Sequence, residues 1–269
     1  MKTSRFAPSP TGRLHLGHAY SAVVARAAGE RFLIRIEDLD AGRCRPEFVD
    51  GIFEDLRWLG INWDGEPLVQ SQRTASYATA LDDLRGRGLV YACFCTRADI
   101  AAALSAPHGE TAQYPGTCRG LPDDQARRAG HAHSWRLDGA KAMALAESDG
   151  LVGSVGAVDD VILARKDAPA AYHLACVVDD AASGVNLVVR GADLSSSTPV
   201  QLLLQYLLGL PRPDYLHHPL VAHSDGRRLA KRDHAPTLAA MRSEGVDGPA
   251  LANDLAAGRV PLGFSFITT

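Results

Sequence analysis

Apolar positions come in short runs whose period changes along the chain. Residues 4–7 read as a strand that runs into Pro8-Ser9-Pro10-Thr11-Gly12, which cannot continue a regular element. A helix pattern opens at Gly17-His18, with Ala19, Val23, Val24 and Ala27 at core spacing, and residues 31–36 form a second strand. Strand, loop, helix and strand make one right-handed crossover of a parallel sheet. An amphipathic helix is predicted over 46–59, with Phe48, Ile52, Leu56 and Leu59 on one side and Gly60 as its stop. Another starts at 71–73 and ends at Gly88, followed by a strand over 89–95 and a capping box from Thr96 to Asp99. Beyond residue 121 the pattern weakens. It gives a charged helix over 122–129, ahead of Ser134-Trp135-Arg136-Leu137, and a strand over 158–165. It then sharpens into a helix over 172–180, a buried strand over 185–189 and an apolar helix over 198–208 stopped by Gly209. A strand over 215–221, a Ser-Asp-Gly turn, two short helices near 237–244 and 249–256, and a tail complete the chain. The fold class is α/β with a parallel sheet.

Composition narrows the field. In 269 residues, 46% hydrophobic, there is enough apolar material for a substantial core. The net charge of −3 argues against a sequence-blind nucleic-acid binder, whose affinity would need many phosphate contacts, and leaves room only for a local basic patch. The first ten residues hold no apolar signal segment, and no apolar run reaches membrane-spanning length. Five cysteines, an odd number, do not read as a secreted disulfide framework. A soluble cytoplasmic protein is expected.

Chemistry concentrates where strand gives way to helix. In parallel sheets ligands bind at the carboxyl ends of strands, where His15 and His18 fall. Two histidines three apart on a first helical turn share a face, Gly17 permits close approach, and the free N–H groups there favour phosphate. The competing account is a pair of capping histidines. Glu37, Asp38 and Asp40 end the second strand at the same crevice, where Glu37 suits an ammonium or a ribose and a loop cap or surface salt bridge is the alternative. Cys93, Cys95 and Cys118 supply three thiolates, one short of a tetrahedral zinc site. Tyr114, His108, His131 and His133 are candidates for the fourth position, and on residue chemistry alone a histidine is favoured. The alternative is a pair of reduced cysteines facing opposite ways on a strand. Cys44 and Cys176 are ordinary thiols. Arg119, Arg127 and Arg128 give the stretch over 119–128 a modest positive charge, suited to an RNA contact or equally to a solvated helix face. Arg190 at a strand end suits a carboxylate clamp, with an ion pair as the alternative. Arg228-Leu229-Ala230-Lys231-Arg232, taken alone, is a solvated basic loop.

These stretches resemble a known family. His15-Leu16-Gly17-His18 looks like the HIGH signature of class I aminoacyl-tRNA synthetases, and the run RFAPSPTGRLHLGH is similar to their glutamyl/glutaminyl branch. RIEDLD, QSQRTASY, YHLACVVDD and VVRGADL resemble the corresponding stretches of glutamyl-tRNA synthetases, in the right order. The CxC followed by YxxxC resembles the zinc site of the glutamyl-Q tRNA(Asp) synthetase family, in which the tyrosine is a ligand; that resemblance makes Tyr114 the fourth ligand beside Cys93, Cys95 and Cys118. The basic loop looks like KMSKS, with Lys231 on its second lysine, Arg228 in place of the first lysine and Ala230 in place of the serine.

The resemblance spans residues 5 to about 232. It implies a class I synthetase Rossmann-like parallel sheet: a first half over 1–88, an inserted zinc-containing subdomain over 89–165, a second half with the KMSKS-like loop over 166–232, and a short helical C-terminal segment over 233–269. The 37 residues after Arg232 leave no room for an anticodon-binding domain. It further implies ATP-dependent activation of L-glutamate without tRNA, then transfer to queuosine at the wobble position of tRNA(Asp). His15, His18 and Lys231 would be catalytic, and with Gly17 would hold ATP and its Mg²⁺. Arg5 and Arg190 would attract the glutamate carboxylates, Glu37 and Tyr172 would orient its amine, and Phe6, Ala7, Pro8 and Ser9 would line the pocket. No membrane and no DNA partner is implied. Three competitors remain: charging the 3′ end of tRNA(Glu), transfer of glutamate to a small molecule, and a non-catalytic RNA- or zinc-binding module.

Overall fold

The computed structural model describes residues 1–96, 98–100, 114–122, 125–151, 156–227, 229 and 236–267. In chain order the elements begin β1 (Thr3–Phe6), α1 (Leu16–Ala28), β2 (Arg31–Ile36), α2 (Pro46–Trp58), β3 (Leu68–Val69) and α3 (Thr74–Gly86). They continue β4 (Val90–Cys93), α4 (Gln125–Gly130), β5 (Ser134–Leu137), α5 (Gly139–Ser148), β6 (Ile162–Ala164) and α6 (Tyr172–Ala182). Then come β7 (Leu187–Gly191), α7 (Thr198–Leu207), β8 (Asp214–His218), β9 (Leu220–His223), α8 (Leu238–Ser243), α9 (Gly248–Ala256) and β10 (Phe264–Ile267). The chain divides into two compact units: Met1–Gln72 with Ser183–Ser196 and Pro213–Thr269, and Arg73–Ala182 with Ser197–Arg212.

The first unit is the crossover sheet. β1 runs parallel to β2, β2 parallel to β3, and β7 parallel to β8. The Asn186 N–H donates to the Thr3 carbonyl at 3.1 Å, which ties the start of β7 to β1. β1 is buried along its whole length and β2 at Phe32, Ile34, Arg35 and Ile36, so both strands are covered on both faces, as parallel strands are. Phe6, Phe32, Ile34 and Ile36 pack with Leu16 and Val23 of α1 and with Ile52, Leu56 and Leu59 at α2. Each such side chain is worth about 1.5–3 kcal/mol when buried, well above an exposed ion pair at about 0–1 kcal/mol. Apolar burial therefore holds the strand ends in place. The buried side of α1 is carried by Leu16, Ala19, Tyr20, Ala22, Val23 and Ala25; Ala27, expected in the core, is exposed. α2 stops where expected, because Gly60 takes φ 74°. Asp55 of α2 is fully buried and accepts from Arg242 Nη1 of α8 at 2.8 Å; burial pushes its carboxyl up to about 6 against that arginine.

Two expectations near the C-terminus need correction. Residues 215–221 are not one strand: Pro219, which has no N–H to donate, separates β8 from β9. β8 stays parallel to β7, while β9 pairs antiparallel with β10. The expected tail therefore contains a strand, with Phe266 opposite Val221.

The second unit has a three-stranded antiparallel sheet in the order β4-β5-β6 and a helical layer of α3, α6 and α7. The buried Asp179 of α6 accepts from Tyr77 Oη at 2.7 Å and Arg73 Nε at 2.6 Å, both at or near α3. α5 was not expected. Asp138 caps it, accepting the Lys141 N–H at 3.1 Å. Among the described residues no helix is long and apolar enough to cross a membrane.

Candidate active site and metal centre

The loop after β1 is pinned at its base. The Glu37 N–H donates to the Pro8 carbonyl at 3.0 Å, and the Arg45 N–H to the Pro10 carbonyl at 3.1 Å. This fixes Pro8 to the end of β2 and Pro10 to the start of α2, and delivers His15 to the N-cap of α1. His15 Nδ1 accepts the Gly17 N–H at 3.2 Å, and His18 Nδ1 accepts the His15 N–H at 3.1 Å. The two ring centroids lie 3.9 Å apart. The capping and the phosphate-binding accounts of this pair are therefore compatible. Each Nδ1 spends its lone pair on a backbone N–H, so each neutral ring carries its proton on Nε2, where it is a donor. Gly17 lets the His15 ring lie close: a Cβ there would stand 3.1 and 3.2 Å from the ring, which would have to give by a few tenths of an ångström.

Past the basic loop the chain comes back to the same place. Thr237 forms an isolated antiparallel bridge with His15, and the Leu238 N–H donates to the Leu14 carbonyl at 2.9 Å. The Leu229 side chain lies 3.9 Å from the Cβ position of Gly17. Lys231 itself, with Arg228 and Ala230, is outside the described residues. Sequence reasoning missed Thr237, which also caps α8 through the Ala240 N–H at 3.1 Å.

Two arginines are buried at the carboxyl ends of adjacent strands. Arg5 of β1 is 4% exposed and donates from Nη1 to the Val189 carbonyl at 3.2 Å; Arg190 of β7 is 5% exposed. Arg190 Nε donates to His217 Nε2 at 3.2 Å, and its guanidinium lies 5.1 Å from the Tyr215 ring centroid. Burial, with Arg190 next to it, pushes the His217 pKa down, so the ring stays a neutral acceptor. His217 and Tyr215 were not foreseen. The register that sets His217 opposite Arg190 becomes legible only once β8 is known to lie parallel to β7.

The remaining positions divide. Glu37 accepts from Arg35 Nη2 at 3.0 Å. Asp38 accepts the Ser71 N–H at 2.8 Å and Asp40 accepts from Arg43 at 2.7 Å, so these two carboxylates serve as loop caps. Phe6 points into the core, Pro8 is buried, Ala7 is half-buried and Ser9 exposed. Tyr172 belongs to the second unit, half-buried on the first turn of α6.

The sulfur cluster is assembled within the second unit. The Sγ atoms of Cys93, Cys95 and Cys118 lie within 4.8 Å of one another. Tyr114 Oη is 3.3 Å from Cys93 Sγ and 3.4 Å from Cys95 Sγ, and Cys95 Sγ is 3.6 Å from Cys118 Sγ. Around a tetrahedral zinc with Zn–S near 2.3 Å, neighbouring ligand atoms sit roughly 3.5–3.8 Å apart. The three separations, 3.3, 3.4 and 3.6 Å, lie at or just below that edge length, so the donor set is compatible with a zinc ion. The idea of opposed strand cysteines fails on its own geometry, since residues two apart share a face of an extended chain. Among the described residues no histidine joins the cluster: His131 and His133 are directed to the Arg127 and His131 carbonyls, and His108 lies outside the described residues. Gly116, at φ 76°, allows the turn that brings Cys118 back to Tyr114. The surrounding residues hold the set in place. Asp159 accepts the Tyr114 N–H at 2.8 Å, and Arg136 lies 3.9 Å over the Tyr114 ring. Asp160 accepts from Arg119 Nε at 2.7 Å and from Tyr91, so Arg119 is structural rather than a free positive charge. Burial opposes the Cys118 thiolate, yet hydrogen bonds from the Phe94 backbone, Tyr114 and the other cysteines outweigh it and bring the thiol down.

The pattern described as class I tRNA synthetases (E and Q), catalytic domain, matches residues 2–260. The chain belongs to the class I tRNA synthetases. It is accordingly a ligase, built on that family's catalytic domain. Among its relatives is a glutamyl-Q tRNA(Asp) synthetase of Nocardia farcinica, 51% identical over 90% of this chain and 79% of that protein. Another of the same description, from Rhodobacter capsulatus, is 46% identical over 90% of this chain and 95% of that protein. A solved glutamate tRNA ligase from Elizabethkingia meningosepticum, in complex with its amino acid, shares the fold with a TM-score of 0.75 at 24% identity. It matches 95% of this chain but only 60% of the longer ligase.

Proposed function

We propose that this synthetase activates glutamate with ATP in the absence of tRNA and transfers it to queuosine at the wobble position of tRNA(Asp). The observation that carries the reading is the pairing of two features in the first unit: an N-cap that fixes two imidazole Nε2–H donors, and two buried arginines at the ends of β1 and β7. The first suits phosphate and the second suits carboxylate. A glutamate carboxylate oxygen attacks the α-phosphorus of ATP; the new P–O bond forms as the bond to the bridging oxygen breaks, and pyrophosphate leaves with that electron pair. His15, His18 and Lys231 stabilise the charge spread over the phosphates. Arg5 and Arg190 hold the substrate's carboxylates, with Glu37 and Tyr172 orienting its amine and residues 6–9 shaping the wall. A hydroxyl of the queuosine cyclopentene-diol then attacks the acyl carbon, loses its proton and displaces AMP. Mg²⁺ accompanies ATP by neutralising phosphate charge. Cys93, Cys95, Cys118 and Tyr114 hold a structural Zn²⁺ in an inserted subdomain over 89–165. The relatives' description as glutamyl-Q tRNA(Asp) synthetases supports this acceptor, and the protein works in the cytoplasm with that tRNA.

Labelled glutamate with ATP and tRNA(Asp), with and without queuosine, tests this. Label only on the queuosine-bearing tRNA is expected. Brisk pyrophosphate exchange with neither tRNA labelled would keep the activation step and remove the acceptor. Label at the 3′ end of tRNA(Glu) would make the protein a minimal charging enzyme.

A further inference from the structure

One buried carboxylate of the first unit has no part in the adenylate chemistry. Asp55 of α2 is fully buried, and its Oδ1 accepts from Arg242 Nη1 at 2.8 Å. Arg242 Nη2 reaches the neighbouring Glu54 Oε2 at 3.1 Å, so one guanidinium fork spans two consecutive carboxylates. Among the described residues Asp55 Oδ2 has no hydrogen-bond partner. The charge of a second arginine, Arg13, also acts on the Asp55 carboxyl. Arg13 lies along α2 one turn earlier, where a Cβ on Gly51 would stand 2.5 Å from its Nη1.

These two arginines belong to the two chain segments that meet at His15. Arg13 sits just before His15, on the loop that delivers it to the N-cap of α1. Arg242 is in α8, which packs on α2. The cap of α8, Thr237, bridges to His15, and its first residue, Leu238, donates its N–H to the Leu14 carbonyl at 2.9 Å. The bridge holds the His15 backbone extended, at φ −129° and ψ 176°. α8 has only six residues, too few to hold a helix by propensity alone. Its place comes from Leu238 and Met241 in the core and from the fork of Arg242 on α2.

Why an ion pair here rather than another leucine? A buried pair gives little net stability over an apolar pair of the same size, because both charges lose their water. It does fix position. Apolar side chains of about the right size pack in more than one way, whereas a buried carboxylate is costly as soon as its donor moves off. Apolar contacts thus keep α8 on α2, and Asp55 decides where along α2 it sits.

We propose that Asp55 and Arg242 are positioning residues for His15: their contact fixes α8 on α2, and α8 fixes the His15 backbone through Thr237 and Leu238. The inference rests on the reading that the His15 ring acts on the phosphates of ATP. Breaking the contact therefore slows turnover and spares the binding of glutamate, which that reading gives to the arginines of β1 and β7.

Pyrophosphate exchange with glutamate and ATP tests this on the full-length chain, below the melting onset of every variant. Arg242→Met is expected to lower kcat about 10-fold, because small misplacements of a catalytic group are costly, while the KM for glutamate stays within about 2-fold. Asp55→Asn, which keeps the shape and removes the charge, should do the same. Arg242→Lys keeps a charge for Asp55 without the fork and should recover part of kcat. His15→Ala completes a double-mutant cycle: once the ring is gone, adding Arg242→Met should cost less than about 2-fold more. Wild-type kcat in both Arg242→Met and Asp55→Asn would overturn the proposal. So would an equal fold loss with and without the His15 ring, which would make the pair a general stabiliser, or a rise in the KM for glutamate that accounts for the whole defect. Unaltered exchange in His15→Ala is a separate result: it removes the phosphate reading of the histidine, and this inference with it.

Discussion

The two chemical centres of this chain are built on opposite plans. The histidine pair of the first unit sits on a large apolar cluster, and its geometry comes from main-chain donors: two N–H groups fix two rings. The sulfur cluster of the second unit is its own core, since Cys93, Cys118 and Tyr114 are the buried residues there and the packing around them is thin. The second gathers three sulfurs and a phenol, held by the Cys118 N–H donating to Tyr114 Oη and by the carboxylates of Asp159 and Asp160, and on the proposed reading by a shared Zn²⁺. Chemistry placed on a crossover sheet needs rigidity that the core already supplies, whereas the small cluster around the sulfurs, with Tyr91, Phe94, Cys95 and Ile100 packed against it, gains from a staple.

Breaking the staple should have the largest effect. Structural zinc contributes on the order of 10 kcal/mol to folding in small domains, so Cys118→Ala is expected to abolish stoichiometric zinc and lower the thermal midpoint by more than about 5 °C. Metal analysis and calorimetry of the whole chain read both. A variant with no zinc and an unchanged midpoint would show that the second unit stands without its cluster, and the contrast between the plans would disappear.

Removing a buried charge from the first unit should cost activity rather than structure. Arg190→Ala strips a 5%-exposed guanidinium from the end of β7 and leaves His217 without its donor. Truncating one side of a buried charge contact typically costs about 2–5 kcal/mol, so glutamate-dependent pyrophosphate exchange is expected to fall at least ~30-fold, mainly through the KM for glutamate. His217→Ala should give a weaker version of the same defect. Exchange near the wild-type level in Arg190→Ala would remove the arginine from the substrate site.

Much of the first unit was legible because its signals are local. A strand, a Pro-rich loop and a helix-starting HxxH lie within one stretch of sequence, and the bounds of β2 follow directly from the run RFLIRI. The cysteine pattern was equally local. What stayed hidden depends on pairing across the sequence. His217 matters because β8 sets it opposite Arg190, and Thr237 because the chain returns to His15. β10 carries too few residues to announce itself, and exists because β9 offers an edge after Pro219 turns the chain. α5 is a different matter: Asp138 followed by Gly-Ala-Lys-Ala-Met-Ala is a capped, alanine-rich start whose signal was present and passed over. The group next to the three sulfurs shows the limit of residue chemistry. General ligand preference favours histidine, but the turn at Gly116 brings the Tyr114 hydroxyl to the sulfurs.

Gly17 offers the finest discrimination between rigidity and packing. It lies inside the first turn of α1, where an alanine would ordinarily stabilise a helix by about 1 kcal/mol. Its α-carbon also faces the His15 ring, and an added Cβ would stand 3.1 Å from Cε1 and 3.2 Å from Nδ1. The ring has to give by a few tenths of an ångström, which lengthens the Nδ1 contact to the Gly17 N–H and swings Nε2 away from its set direction. Gly17→Ala is therefore expected to melt at or slightly above the wild-type temperature while pyrophosphate exchange drops about 10-fold, since small misplacements of a catalytic group are costly. Calorimetry and exchange on the same preparation separate the two effects. Full activity with raised stability would mean that the imidazole tolerates displacement and that the N-cap does not set the reactive geometry. Lost activity with lost stability would mean that the glycine serves packing alone.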